Sequence, residues 1–263
     1  MIFLDNLTLV EYTLLTKFRK TLVEANYGAL ALEIFVVIVG ILVAFQIDRW
    51  GIERQERRDE HQYLVRLQED LLFEISLMDV SIEHAETRIA TVRFLDEVAA
   101  DPDIAAERQE DVISALEKVT WRSFPHISAF VYTELQNTGN LSLIQSEELR
   151  QELAEYYSLL RFESVIGLDL EVQRAFSRLT AGILSTDELV YIEEGQLNQG
   201  QFKAPPGRAL EIARQFSERR DAIDLLPSIA QHHAFNKKII ADGRDRAQRI
   251  VASLDALIAA SSL

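Results

Sequence analysis

Residues 28–47, GALALEIFVVIVGILVAFQI, constrain this chain more than any other stretch. Thirteen of the twenty are Leu, Ile, Val or Phe, and Glu33 is the one charged residue among them. As a helix rising about 1.5 Å per residue, the segment covers about 30 Å, the thickness of a bilayer's hydrocarbon core. Apolar residues near a span's centre favour insertion by roughly 0.3–0.6 kcal/mol each, about 4–8 kcal/mol together, against about 2.5–3.5 kcal/mol for a charge at mid-span. Glu33 stands only five residues inside the start, where its cost is smaller, so the balance predicts a transmembrane helix. Tyr27 and Trp50 bracket the run, where interfacial aromatic anchors sit. The run is too long for a cleaved signal peptide and no small-x-small site follows it. It reads as an uncleaved anchor.

At 100° per residue, Ala29, Glu33, Gly40 and Ala44 fall within about 40° of one line. Small residues let membrane helices approach closely, and a polar group beside them can hydrogen-bond across the contact. This face is therefore a candidate packing surface for another helix, from a second copy or a different membrane subunit. The alternative is that Glu33 is protonated or reaches the headgroups and has no specific role.

Orientation stays open on charge alone. The leading side carries Lys17, Arg19 and Lys20; the trailing side carries Arg49, Arg54, Arg57, Arg58 and Arg66, interleaved with acids. Counting cations places the trailing domain in the cytoplasm, whereas a first span with a short basic leader usually keeps that leader inside. Residues 1–47 hold three Lys or Arg and four Asp or Glu, leaving 24 basic and 38 acidic groups, a net −14, on the rest. Such a domain repels phosphates, so nucleic acid is not an expected partner. There are no cysteines, which removes thiolate catalysis, disulfides and Cys-ligated metals.

The remaining chain predicts an all-α fold. Residues 1–27 have Leu4, Leu7, Leu14, Leu15, Phe18 and Leu22 spaced for one face of an amphipathic helix. A charged neck spans 48–62. From 63 to 263 a helical bundle is expected, opening with a heptad-like seam of Leu64, Leu67, Leu71, Ile75, Met78, Ile82, Ala85, Ile89 and Val92. Pro102 and its flanking aspartates mark a turn before a helix over 104–119; Pro125 stops the next segment, and Gly139 offers a left-handed helix end. Ser146 starts one long helix running through residue 184. Residues 185–207 are polar and turn-rich, with the composition of a hairpin or lid, and two helices, 208–224 and 228–258, close the chain.

Chemistry is sparse. Phosphate-loop, dinucleotide, zinc-protease and nucleophile-elbow motifs are all missing. None of His61, His84, His126, His232 and His233 has Glu three residues before it, as a di-iron bundle would require. His232 and His233, being adjacent, point to different helix faces. No cofactor or catalytic residue is expected. Trp121, Phe124, Phe130 and Tyr132 concentrate four aromatics in twelve residues; they form either a pocket or partner surface at the bundle's end, or a cap on the core where two helices meet.

The run LEIFVVIVGILVAFQIDRW, with TELQNTGNLSLIQSEELRQELAEYY later, is similar to an uncharacterised family of bacterial single-pass membrane proteins. The positions that carry the likeness are Glu33, Gly40, Gln46, Trp50, Gly139, Leu143, Ile144, Tyr156 and Tyr157; residues 185–263 contribute none. The resemblance implies a basic leader in the cytoplasm and a helical domain on the periplasmic side of the inner membrane, and it implies no activity. The expected function is a non-enzymatic, membrane-anchored interaction module that meets the bilayer and other subunits or copies of itself. An oligomeric ion- or proton-coupled component using Glu33, and a ligand sensor signalling through the neck, are the competing readings.

Overall fold

A single stripe of α1 (Tyr27–Ala100) organises the structure. The computed structural model describes residues 27–122, 124–159, 163–198 and 205–261; the side chains of 27–31, 163–169, 196–198 and 261 are outside it. The expected amphipathic helix over 1–27 thus lies outside the described residues, save for Tyr27 at the start of α1. The chain divides into two units, Met1–Arg58 and Asp59–Leu263. In the first, the described residues are all helical.

The second unit is also helical, with no strand among the described residues. After α1, a 3₁₀ turn (Pro102–Ala106) leads to α2 (Gln109–Lys118), α3 (Phe130–Thr138), a second 3₁₀ turn (Asn140–Leu143) and α4 (Glu147–Leu159). Then follow α5 (Glu163–Leu179), α6 (Thr186–Asn198), α7 (Arg208–Ser217), the single turn α8 (Arg220–Ile223) and α9 (Leu226–Ser261).

Leu64, Leu67, Leu71, Glu74, Met78, Ser81, Ala85, Arg88, Val92 and Leu95 of α1 are buried. Their spacing alternates three and four, the period of a coiled-coil seam. The facing stripe belongs to α9, where Leu226, Ile229, His233, Asn236, Ile240, Ala247, Ile250 and Leu254 are buried. Three polar pairs flank the seam: Gln68 with Asp255, Asp79 with Arg244, and Glu86 with Lys237. Each advance along α1 is matched by an equal retreat along α9, so the two helices run antiparallel in one register.

Around this pair lie two apolar cores. One joins Leu64, Leu67, Leu71 and Met78 to α3, α4 and the far half of α9; the other joins Val92, Leu95 and Val98 to α2, α6, α7, α8 and the start of α9. Between them the seam is polar, with Ser81, Arg88, His233 and Asn236 buried.

That polarity corrects the expected seam. Ile75, Ile82 and Ile89 are only half-buried, and the inward positions one residue earlier belong to Glu74, Ser81 and Arg88. Arg88 donates from Nε to the Trp121 carbonyl (2.6 Å) and from Nη1 to that of His84 (2.9 Å). His233 Nε2 lies 2.9 Å from the Val119 carbonyl, which can only accept, so Nε2 carries the proton. The chain leaving α2 inside the molecule has carbonyls that lack helical partners, and two seam residues supply donors.

Four other expectations change. Of the long helix expected from Ser146 through residue 184, the described residues show Glu147–Leu159 (α4) and Glu163–Leu179 (α5) as helix, residues 160–162 lie outside them, and 180–184 are turn and bend instead. The expected helix over 104–119 is a 3₁₀ turn followed by α2, with Asp101 capping the turn through its bond from the Asp103 N–H (3.1 Å). Most of the expected lid at 185–207 is α6, because Ser185 and Glu188 form a reciprocal capping box. Ser185 Oγ accepts from the Glu188 N–H (3.3 Å) and Glu188 Oε2 from the Ser185 N–H (2.7 Å). At the end, the helix expected over 208–224 is α7 and α8, and α9 admits Pro227 in its first turn, where no N–H is needed. Gly139 ends α3 in the left-handed conformation (φ 74°) as expected.

Glu188 also takes Arg208 in a two-pronged ion pair (2.7 and 2.8 Å), while Arg208 reaches the Ile183 carbonyl (2.8 Å). The Arg208 bond holds the Glu188 carboxyl at about 2. Its folded-state acidity is thus stronger than in the unfolded chain, so the stabilisation is present above the ordinary 4.5 and disappears as pH falls through about 2. Glu188→Ala removes a cap and one of Arg208's two carboxylate partners, Glu211 remaining at 3.0 Å, with an expected loss of about 1–3 kcal/mol in urea unfolding at neutral pH; a loss within error would contradict this role.

Candidate functional site

In the first unit the α1 side chains from Leu32 to Ile52 are exposed, and the apolar ones lie on every side of the helix: Leu32, Ile34, Phe35, Val36, Val37, Ile38, Val39, Ile41, Leu42, Val43, Phe45 and Ile47. A Cβ placed on Gly40 would meet nothing within 4 Å. Glu33 and Ala44 are likewise exposed, and Trp50 is 60% exposed with the Arg54 guanidinium 5.6 Å from its ring centre. The side chains of Tyr27 and Ala29, the remaining members of the expected anchor and packing face, lie outside the described residues. Among the described residues no helix is long and apolar enough to cross a membrane. From Leu32, eighteen residues reach Arg49 and include Glu33, Asp48 and Arg49; the expected span also draws on 28–31.

The second unit holds a buried acidic site. Glu74, 2% exposed, accepts from the Ala129 N–H at Oε1 (3.3 Å) and from the Tyr156 hydroxyl at Oε2 (3.0 Å). One turn earlier, Asp70 Oδ2 accepts from the Val131 N–H (2.9 Å). Two carboxylates of α1 thus satisfy donors at the start of α3, where the helix dipole also favours negative charge. Ala129 holds a left-handed backbone (φ 47°), which a residue with a Cβ rarely adopts. Above the site, Tyr132 stacks on Tyr157 (centroids 4.6 Å apart) and Tyr157 meets Tyr156 edge-on (4.8 Å). Burial pushes the Glu74 carboxyl up to about 7; the Tyr156 and Ala129 bonds oppose this, and the charge of Asp70 adds to it.

The four clustered aromatics do not form one surface. Tyr132 is buried in one core, Phe124 packs on the same core, and Trp121 packs on the other. Phe130 alone faces outward, 64% exposed. Trp121 also lines a cavity of about 320 Å³ with Glu110, Asp111, Ser114, Lys118 and Tyr191. The paired tyrosines and Ile144 lie together around Glu74 and its core. Sequence reading missed Glu74 because its place in the heptad was assigned to Ile75. Its signal was present: Glu74, Ser81 and Arg88 repeat at intervals of seven. Among the described residues no group of three His, Asp or Glu side chains is placed to hold a metal ion.

Because the folded-state acidity of Glu74 is weaker than its ordinary 4.5, its protonated form stabilises the fold. That contribution is full below about 4.5 and is lost as pH rises through about 7. Glu74→Gln keeps one acceptor and adds a donor that the Tyr156 oxygen can take, without a charge. Between about pH 8 and pH 5 the stability of the wild type should gain about 3 kcal/mol relative to Glu74→Gln. Parallel pH profiles in chemical denaturation would refute the buried-acid account. Compared with known proteins, the chain stands apart: no family model, no curated protein and no solved structure matches it.

Proposed function

We propose that the chain is a membrane-anchored interaction module without catalytic activity, held in a bilayer by residues 28–47 and presenting its second unit as a helical binding domain. The observation that carries the reading is the exposed apolar surface from Leu32 to Ile47, which surrounds the helix rather than striping it. A helix on an aqueous bundle buries one face; one that is apolar all round needs an apolar surrounding on every side, and lipid supplies that. With 28–31 the run has the length of a hydrocarbon core. Glu33, one turn or so from the leading end, lies within reach of the headgroups.

The partner side of the proposal draws on Gly40 and Ala44, which no described residue covers, and on Glu33 beside them on the helix. A further subunit or a second copy is the occupant this face suits. The orientation with the second unit outside the inner membrane follows from the family resemblance and belongs to the proposal. The cavity beside Trp121 favours, as a second reading, a small-ligand sensor built on the same anchor.

The anchor is tested by floating the full chain with lipid vesicles. Val37→Arg with Ile41→Arg adds two mid-span charges, about 5–7 kcal/mol, enough to cancel most of the apolar gain. The wild type should float and the variant stay in the dense fractions with its helix content intact. Equal flotation of both, or none of either, would overturn the anchor.

A further inference from the structure

A shallow groove of about 350 Å³ runs along α1, lined by Val39, Leu42, Val43, Gln46, Ile47 and Trp50. From Val39 to Trp50 it extends about 16 Å at 1.5 Å per residue, half the thickness of a hydrocarbon core. A partner helix crossing the bilayer would be expected to follow the whole apolar run; this groove matches the depth of one leaflet and so one acyl chain. Its lining is almost wholly apolar until the indole of Trp50.

Two arginines, interleaved with acids, stand at the polar end of the groove. Arg54 lies over the Trp50 ring at 5.6 Å, and at 100° per residue Arg54 and Arg57 fall within about 60° of the groove's line. Glu56, between them, projects well away from that line, while Glu53, just before them, lies as near the line as Arg54 and is drawn towards Arg49 at 3.9 Å. Arg49 itself projects to one flank. An arginine fork matches phosphate oxygens, and long arginine stems carry the charge back towards the headgroup level.

Resting on the anchor reading above, we infer that this groove and Arg54 with Arg57 form a binding site for an anionic phospholipid, its acyl chain along Val39, Val43 and Gln46 and its phosphate at the two guanidinium groups. The site selects by net headgroup charge: a zwitterionic lipid offers the same phosphate with a compensating ammonium, and an anionic one does not. Trp50 marks the level where chain gives way to headgroup, as interfacial indoles do.

The test uses the full chain in bilayer nanodiscs of phosphatidylcholine with and without phosphatidylglycerol, followed by native mass spectrometry of the lipids retained. The wild type should keep phosphatidylglycerol in preference to phosphatidylcholine, and Arg54→Gln and Arg57→Gln should each reduce that preference roughly fivefold. Arg58→Gln, about 90° from the groove's line, should leave it unchanged. A chain that inserts but shows no headgroup preference, or one that Arg54→Gln with Arg57→Gln does not alter, overturns the lipid site and leaves the anchor standing. Failure to insert into either bilayer overturns the anchor and the lipid site together.

Discussion

A helix that ends inside a protein brings unpaired N–H or C=O groups with it, and the second unit is arranged around satisfying them. Its short helices start and stop against α1 and α9, and several of the polar groups that cap them come from those two long helices. Asp70 and Glu74 take N–H donors at the start of α3, Glu60 takes the Gln145 N–H just ahead of α4 (2.7 Å), and Arg88 with His233 take the carbonyls beyond α2. An unmade bond of this kind costs about 1–3 kcal/mol when buried. That penalty explains why a seam built for leucine contains Glu74 and, two heptads on, Arg88.

The same residues fix register. An apolar seam between two long helices tolerates sliding by a heptad with modest loss, because leucine meets leucine again. A polar residue that must meet one particular N–H or C=O does not. Slipping α1 by seven residues would bring Ser81 to the place of Glu74 and leave Ala129 and Tyr156 without a carboxylate. The Asp79–Arg244 and Glu86–Lys237 pairs on the flanks are exposed enough to add little stability, though they agree with the same register. Glu74 then combines two demands: it caps α3 and it sits in a site dry enough to push its carboxyl up to about 7.

Much of this was legible in the chain. The helical class, the turn at Pro102 and the left-handed Gly139 follow from periodicity and backbone rules. One cause of error is that hydropathy cannot see a polar residue whose partner is a distant backbone group. Ile75, Ile82 and Ile89 looked like the seam because they are apolar, although each lies one position off the inward line. Residues 185–198 looked like a loop because they are polar, although Ser185 and Glu188 announce a helix start by their spacing. The aromatics of 121–132 seemed to form one cluster because they are close in sequence. The non-helical chain between α2 and α3 instead passes Trp121 to one core and Phe124 to the other.

The apolar segment of α1 poses the opposite case, in which the sequence is clear and no described residue of the chain covers it. Since the chain has no cysteine, single cysteines can be placed along 34–58 and labelled with a water-soluble maleimide in membranes. The anchored account predicts protection at every position from Ile34 to Ile47, on all sides of the helix, with labelling returning by Arg54. Protection recurring only on one face, at the helical period, would mean that protein rather than lipid covers the segment, and would contradict it.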